Sequence, residues 1–281
     1  MSDRLTGKHA IVTGAGRGIG RAIARAMAAE GAELLLLGRS EDPLRESSEL
    51  IERAGGSAWW MSCDVRDDAR VDEVVQRAAE RWGAIDVLAN NAGIDDDTPF
   101  VDVDRDRWRD IIATNLTAPF VMSQSVARVM RNTGGGSIVH NASIDASGGD
   151  GPFVAYNASK AGLLGLNRTM AMELAPYGIR SNCVSPGFTH TEMTENAVGP
   201  KLMEYLEGSF GRVPMRRLVQ PEEVAAAFVF LASDEASAIT GTDLRVDCGL
   251  TSNWYILETL PGDGEPEPAG EAGSAGKRTG A

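Results

Sequence analysis

Short apolar runs alternate with longer amphipathic stretches along most of this 281-residue chain. The short runs, rich in Val, Ile and Leu, predict buried strands, whereas the longer stretches have the periodicity of helices. Strands are predicted at 9–13, 34–37, 57–62, 85–89, 137–141, 180–185 and 243–247. Helices are predicted at 18–30, 44–53, 67–82, 105–131, 153–177 and 222–233. Because strands separated by helices need right-handed crossovers, the pattern predicts an α/β fold with a doubly wound parallel sheet of about seven strands and helices on both faces.

A glycine-rich turn follows the first predicted strand and reads Thr-Gly-Ala-Gly-Arg-Gly-Ile-Gly over 13–20. Glycines let the backbone approach a pyrophosphate, and the free N–H groups at a helix start favour its negative charge. The spacing fits Thr-Gly-x-x-x-Gly-x-Gly, with Gly14, Gly18 and Gly20 fixed, and does not fit a phosphate loop or Gly-x-Gly-x-x-Gly. At the carboxyl end of a strand in a Rossmann-type sheet, such a turn predicts a nucleotide site. For this motif alone, a tight turn without a ligand is the alternative.

A second motif joins Ser143, Tyr156 and Lys160. Residues four apart lie on one face of a helix, so Tyr156 and Lys160 are predicted to project into one space. A free phenol ionises near pH ~10, and a nearby ammonium favours the phenolate, which predicts a proton-transfer group tuned by the lysine. Ser143 is then placed to hold the oxygen that gains or loses the proton. A tyrosine packed on a helix beside an extended lysine is the alternative for the pair alone.

Several separated motifs occur in order along the chain. They are TGAGRGIG at 13–20, CDV at 63–65, NNAG at 90–93, TNLTAPF at 114–120, the Ser143/Tyr156/Lys160 set and PGFTHT at 186–191. On these motifs, residues from about Leu5 to Leu250 resemble the short-chain dehydrogenase/reductase family in its single-domain form. The resemblance implies one NAD(P)-binding oxidoreductase domain over 1–260, with a substrate lid at about 189–214.

The resemblance also implies roles for individual residues. Tyr156 matches the general acid/base, Lys160 the group that lowers the tyrosine pKa and binds the nicotinamide ribose, and Ser143 the group that positions the substrate oxygen. Asn115 matches the residue that holds a water of the proton relay. The cofactor-binding residues expected from the motifs and from charge are Gly14, Arg17, Gly18, Ile19, Gly20, Arg39, Ser40, Asp64, Val65, Asn91, Ala92, Gly93, Tyr156, Lys160, Pro186, Gly187, Thr189 and Thr191.

The end of the second predicted strand bears on cofactor choice. An NAD enzyme usually places a carboxylate there, which accepts the ribose hydroxyls and repels a 2′-phosphate. This chain has Arg39 and Ser40, with no carboxylate before Glu41. Arg39 can bind a phosphate with its planar set of donors, and Arg17 can approach from the glycine turn. NADP(H) is therefore the predicted cofactor, with NAD(H) possible; pairing of Arg39 with Glu41 or Asp42 is the alternative.

The predicted reaction is the interconversion of a ketone and a secondary alcohol on a small molecule by hydride transfer. A 3-oxoacyl-(acyl carrier protein) reductase and a non-catalytic nucleotide-sensing or scaffold protein are the alternatives. Carboxylates lie near the expected pocket, at Asp95 to Asp97, Asp145 and Asp150, and favour a neutral polyhydroxylated or cationic substrate. They are equally common as turn residues. The residues predicted to contact substrate are Asp95, Asp145, Phe153, Phe188 and Met193.

Charge and cysteine usage exclude other classes. The formal net charge of −13 argues against a nucleic-acid partner, because phosphate backbones need a basic face. Cys63, Cys183 and Cys248 have neither zinc-site nor disulfide spacing, so no metal is predicted. Without a cationic leader or a run of roughly eighteen apolar residues, the chain is predicted to be cytoplasmic and to have no membrane partner.

The end of the chain departs from the family. Members commonly carry Val-Asp-Gly-Gly, where this chain has Val-Asp-Cys-Gly at 246–249. The residues within 250–260 are too apolar to be left in solvent. Because C-terminal segments of the family often pack across a subunit boundary, the resemblance implies a homotetramer that uses this segment. Residues 261–281 are rich in Gly, Pro and Glu without apolar periodicity, so this tail is predicted to be disordered.

Overall fold

Seven strands pair in parallel in the computed structural model, which describes residues 3–149, 151–197, 199–208 and 210–252. They are β1 (His9–Thr13), β2 (Glu33–Gly38), β3 (Ser57–Ser62), β4 (Val87–Asn90), β5 (Gly136–Asn141), β6 (Ile179–Pro186) and β7 (Asp243–Val246). Their order in the sheet is β3-β2-β1-β4-β5-β6-β7. The chain moves outward from β1 to β3 and then crosses back to start β4 on the other side of β1. The crevice above the carboxyl ends of β1 and β4 is thus the place where a sheet of this kind binds ligands.

Helices cover both faces of this sheet. They are α1 (Gly18–Ala29), α2 (Glu41–Arg53), α3 (Asp68–Trp82), α4 (Arg105–Ile112), α5 (Ala118–Thr133), α6 (Val154–Leu174), α7 (Glu192–Ala197), α8 (Pro200–Gly208) and α9 (Pro221–Ala232). One apolar layer packs α1 and α9 on the sheet, with Phe228 fully buried. The other packs α3 and α5, with Val74 and Met122 fully buried. The predicted α/β class, with a parallel sheet between two helical layers, is confirmed.

The long helical region predicted over 105–131 needs a correction. A π-helical turn, Ala113–Thr117, separates α4 from α5 and holds Asn115 at its centre. Such a turn inserts one extra residue into the helical ladder and is frequent at functional sites. The sequence predicted the helical residues correctly but not the interruption, because apolar periodicity does not distinguish a single π turn from an α-helix.

The segment 189–214, predicted to be a lid, contains the short helices α7 and α8. Leu206, Phe210, Val213 and Leu218 form a small apolar cluster of their own around it. No helix in the described part of the chain is long and apolar enough to span a membrane. The predicted tail at 261–281, the predicted subunit contact at 253–260, Asp150 and the Met193 side chain lie outside the described residues.

Candidate active site

Four of the predicted residues come together beyond the carboxyl end of β5. Tyr156 and Lys160 lie one turn apart on α6, and the Lys160 ammonium is 5.3 Å from the centre of the tyrosine ring. Ser143 lies two residues beyond the end of β5, and its side chain hydrogen-bonds that of Tyr156. Asn115 approaches from the π turn. The same-face geometry predicted from the Tyr-x-x-x-Lys spacing is therefore present.

Lys160 is almost fully buried, and its Nζ donates to the main-chain carbonyl of Asn141 at 2.6 Å. Burial lowers its pKa to about 8, an effect that the nearby Asp145 carboxylate partly offsets. The ammonium is thus available at neutral pH and can lose its proton in the mildly alkaline range.

The Tyr156 pKa moves against the direction that the spacing predicts. Burial raises this pKa above its ordinary value, the hydrogen bond with Ser143 lowers it, and the Asp145 and Asp95 carboxylates raise it. The physical reason is that a buried phenolate loses its water, while the Lys160 ammonium donates to Asn141 and not to the phenol. Tyr156 is consequently a neutral phenol at neutral pH, the form that can donate a proton.

Asn115 has a structural task that the sequence did not predict. Its Oδ1 accepts the N–H of Ile94 at 2.9 Å, and its Nδ2 donates to the carbonyl of the same residue at 2.8 Å. A further bond joins Nδ2 to the Ser159 hydroxyl at 3.2 Å. The amide thus holds the loop after Gly93 against α6. Its predicted contact with a relay water stays a prediction.

The glycine turn forms one wall of the crevice. A Cβ at Gly20 would lie 2.1 Å from the Gly14 carbonyl oxygen, so only glycine permits this packing. Helix α1 begins at Gly18 with no side-chain cap and no acidic residue in its first turn. The N–H groups of that turn have no intrahelical partner and lie at the positive end of the helix dipole. These features fit the pyrophosphate of a dinucleotide, which such a turn can bind through its backbone.

Thr13 and Asn91 form the floor of the crevice. The Thr13 hydroxyl accepts the N–H groups of Asn91 and Ala92 at 2.9 and 3.0 Å. The Asn91 amide donates to the Thr13 carbonyl at 3.1 Å and accepts a bond from Asn141 at 2.9 Å. Asn141 therefore connects the glycine turn to Lys160. Thr13 and Asn141 were missed as site residues, although Thr13 opens the glycine motif and Asn141 lies two residues before Ser143.

The end of the crevice beyond β2 is where the adenosine of a dinucleotide is expected. Arg39 is exposed and forms no ion pair within the described ranges, although its charge helps to lower the Asp64 pKa. Asp42 pairs with Arg45. The alternative pairing of Arg39 with Glu41 or Asp42 is therefore not what the structure shows. Ser40 is the residue before α2, and its side chain makes no capping hydrogen bond. At the end of β3, Val65 is buried, and the Asp64 carboxylate is held by Arg66 at 2.7 Å, which lowers the aspartate pKa.

The opposite wall is the segment after β6, which ends at Pro186 and is followed by Gly187. The Thr189 hydroxyl donates to the Gly187 carbonyl at 2.9 Å. Thr191 lies against the glycine turn, because its Cγ2 would be 3.5 Å from a Cβ at Gly18. The segment that contains the predicted cofactor-binding residues Thr189 and Thr191 therefore meets the first turn of α1.

Two predicted substrate residues flank the tyrosine. Asp95 and Asp145 are both close enough to raise the Tyr156 pKa, and burial raises the pKa of Asp95 itself. Phe153 precedes α6 and is partly buried. Phe188 is 39% exposed, with its ring centre 5.5 Å from that of Phe210. The described residues contain no cluster of three or more metal-ligating side chains.

This arrangement resembles that of known proteins along the whole sheet. A family model described as Enoyl-(Acyl carrier protein) reductase matches residues 14–251. The chain is 38% identical over 244 residues to the 3-oxoacyl-(acyl-carrier-protein) reductase FabG of Escherichia coli, covering 87% of this chain and 97% of that protein. It is 39% identical over 254 residues to the L-rhamnose 1-dehydrogenase (NAD(P)(+)) of Azotobacter vinelandii, covering 89% and 98%.

Solved structures of other proteins are also similar to this chain. A Beutenbergia cavernae protein, described provisionally as an NAD(P)-dependent gluconate 5-dehydrogenase and holding NADP at low occupancy, matches with a TM-score of 0.83 and 38% identity over 90% of this chain and all of that one. A short-chain type dehydrogenase/reductase from Mycobacterium marinum matches with a TM-score of 0.83 and 35% identity, covering 89% and 97%. Since both the family model and the relatives cover most of the chain, it belongs to the short-chain dehydrogenase/reductase family of oxidoreductases.

Proposed function

We propose that this chain interconverts a ketone and a secondary alcohol with NADP(H), using Tyr156 as the general acid/base. The observation that carries the proposal is the neutral phenol of Tyr156, held between Ser143 and the buried Lys160 ammonium beside a crevice with an uncapped helix start. When bound there, the nicotinamide supplies or accepts the hydride.

The side chains then have separate tasks. The Ser143 hydroxyl holds the substrate oxygen and stabilises the charge that develops on it. The Tyr156 phenol donates its proton to that oxygen during reduction and takes it back during oxidation. The Lys160 ammonium stabilises the phenolate that is left, and Asn115 keeps the loop over the site in place through Ile94.

The preference for NADP(H) is supported by Arg39. Its guanidinium has no ion-pair partner within the described ranges and stands where the adenosine ribose is expected. Its charge acts on the nearby Asp64 carboxylate, and a 2′-phosphate would give it a direct anionic partner. The absence of a carboxylate at the end of β2 removes the group that usually repels this phosphate. NADP is also the cofactor held by the Beutenbergia cavernae structure.

A 3-oxoacyl-(acyl carrier protein) reductase is the second candidate, favoured by the similarity to FabG. Asp95 and Asp145 weigh against it, because carboxylates beside the reacting carbon suit hydroxyl or ammonium donors on the substrate better than an acyl thioester. A small hydroxylated substrate is also what the names of the rhamnose and gluconate dehydrogenases indicate for those proteins. We favour the small-molecule substrate.

A homotetramer in the cytoplasm is part of the same proposal. The segment expected to form the contact lies outside the described residues from 253 onward. Exposed Phe120 on α5 supports an additional contact, because it lines a groove between α5 and α6 together with Leu166 and Met170. Sedimentation of the full chain tests the assembly, and a monomer would rule it out.

The reaction is tested by the change in cofactor absorbance with ketones, ketoacyl thioesters, sugars and secondary alcohols, using NADPH, NADH and their oxidised forms. The variant Tyr156→Phe removes the acid, and Tyr177→Phe is the matched control because Tyr177 is half exposed beyond the end of α6. Turnover that disappears only in Tyr156→Phe supports the proposal. Tight cofactor binding without turnover of any substrate would contradict it and favour a nucleotide sensor.

A further inference from the structure

An ion pair connects the two walls of the cofactor crevice. Arg17, the residue before α1, lies 3.6 Å from the carboxylate of Glu192, the first residue of α7. The atoms measured are Arg17 Nη1 and Glu192 Oε2. Next to the pair, Thr191 packs against Gly18. The glycine turn and the lid segment are thus held together at the place where a cofactor enters.

Arg17 also lies beside α2, which follows Arg39. The positive charge of Arg17 contributes to the lowered pKa of Glu46 on α2, although a hydrogen bond from Arg21 is the main cause. A Cβ at Gly16 would lie 2.9 Å from the Pro43 side chain, so the turn and the start of α2 are in contact. Arg17 is therefore placed between the adenosine end of the crevice and α7, within reach of charges on both sides.

We infer that Glu192 weakens the binding of NADPH, and so reduces the preference for it, by competing with the 2′-phosphate for Arg17. This inference rests on the proposed binding of NADP(H) in the crevice. The 2′-phosphate either draws Arg17 away from Glu192 or binds with the carboxylate close by, and both arrangements cost affinity. NADH carries no such phosphate, so its binding leaves the pair intact. Arg39 forms no ion pair with a carboxylate in the described part of the chain. It can therefore bind the 2′-phosphate whether or not Arg17 is paired with Glu192.

The chain offers a matched control on the same helix. Glu195 carries the same charge as Glu192, but it pairs with His190 at 3.0 Å and not with Arg17. Replacing either glutamate with glutamine removes one negative charge from α7. Only Glu192→Gln releases Arg17, so a comparison of the two variants separates the competition from a general change of charge.

The experiment measures the Kd of NADPH and of NADH for the wild type, Glu192→Gln and Glu195→Gln by fluorescence titration at low salt. Exposed ion pairs are weak, so Glu192→Gln should tighten NADPH binding by about two- to fivefold. The Kd of NADH should be unchanged in both variants, and Glu195→Gln should leave both constants unchanged. In an Arg17→Met background the effect of Glu192→Gln on NADPH should fall to less than half. Adenosine 2′,5′-bisphosphate and 5′-AMP, which have no nicotinamide, should repeat the pattern.

The results of these titrations distinguish the role of Glu192 from the proposed preference for NADP(H). An equal change for NADPH and NADH, or an equal change in Glu192→Gln and Glu195→Gln, overturns the role of Glu192. A wild type that binds NADH more tightly than NADPH contradicts the proposed cofactor preference instead. In that case a selective gain for NADPH in Glu192→Gln still supports the competition for Arg17.

Discussion

The Lys160 ammonium donates to the main-chain carbonyl of Asn141 at 2.6 Å, although Tyr156 lies one turn away on the same face of α6. The lysine makes no direct bond to the tyrosine, so the role proposed for it in stabilising the phenolate depends on its charge. Because its pKa is about 8, the charge is lost within a range that kinetics can reach.

Ketone reduction should slow as the pH rises through about 8, because deprotonation of Lys160 removes the cation that stabilises the Tyr156 phenolate. The Tyr156 phenol does not cause this decrease in rate, since its own pKa is raised above the ordinary value. The measurement is the pH profile of kcat with saturating NADPH and ketone. In Lys160→Arg, whose guanidinium stays charged, kcat should be lower, but its decrease at alkaline pH should be absent. A wild-type profile that is flat from about pH 7 to about pH 9.5 would contradict this assignment.

Ser143→Ala should reduce kcat by roughly 100- to 1000-fold, the usual loss when one donor to a developing oxyanion is removed. The Kd of the cofactor should stay the same, because Ser143 contacts Tyr156 and the Asp145 N–H and no part of the glycine turn. Ser147→Ala, an exposed serine in the same loop, is the control and should keep full activity. Equal losses in the two variants would show that the loop and not the hydroxyl is responsible.

Arg39→Met should raise the Kd of NADPH by about tenfold or more, since a charge-assisted bond to phosphate contributes roughly 1.5–3 kcal/mol. The Kd of NADH should change by less than about twofold, because NADH carries no 2′-phosphate. Arg53→Met at the far end of α2 removes an equal charge from an exposed position and serves as the control. A loss of the same size for both cofactors would mean that Arg39 supports the fold of the crevice and does not contact the phosphate.

The parts of the site that the sequence predicted are those set by local geometry. Residues four apart in α6 must share a face, so Tyr156 and Lys160 could be paired without any knowledge of the fold. The strands were located to within about two residues because a short apolar run between two helices is typical of a buried strand. The glycine turn was located for a similar reason, since its spacing allows few backbone conformations.

Contacts between distant segments were not predictable in the same way. The bond between Asn91 and Asn141 depends on β4 and β5 being neighbours, and a strand order cannot be read from either strand alone. The pair between Arg17 and Glu192 depends on how the segment after β6 folds back over α1. The raised pKa of Tyr156 depends on burial, a property of the whole site that the Tyr-x-x-x-Lys spacing does not contain.

Gly20→Ala should abolish measurable cofactor binding, because its methyl group would lie 2.1 Å from the Gly14 carbonyl oxygen and force the turn apart. Gly165→Ala in the middle of α6 is the control, since nothing lies within 4 Å of its new Cβ. That control should be slightly more stable, by about 0.5–1 kcal/mol, because alanine is the better helix former. The measurements are the Kd of NADPH and the urea midpoint of each variant. Wild-type affinity in Gly20→Ala would show that the turn does not hold the pyrophosphate.

His140 makes the stability of the protein depend on acid pH. It is fully buried on β5, with Nδ1 3.3 Å from the Asn90 amide and Nε2 3.4 Å from the Ser181 hydroxyl. Ser181 in turn donates to the Asn167 Oδ1 at 2.8 Å, while the amide of Asn167 donates to a main-chain carbonyl. This orientation leaves Ser181 as the acceptor of an Nε2–H, so the ring is held neutral with Nδ1 as an acceptor.

Burial, with a smaller effect from Lys160, lowers the His140 pKa to about 3. The unfolded chain takes up a proton near pH ~6.5, whereas the folded chain resists it, so stability is full above ~6.5 and is lost as the pH falls towards the folded pKa. Between about pH 7.5 and about pH 5 the loss from this residue should be about 2 kcal/mol. Urea unfolding of the wild type and of His140→Asn at both pH values measures it, and the variant should lose correspondingly less. The same pH dependence in both proteins would show that other groups, and not this buried ring, cause the loss in acid.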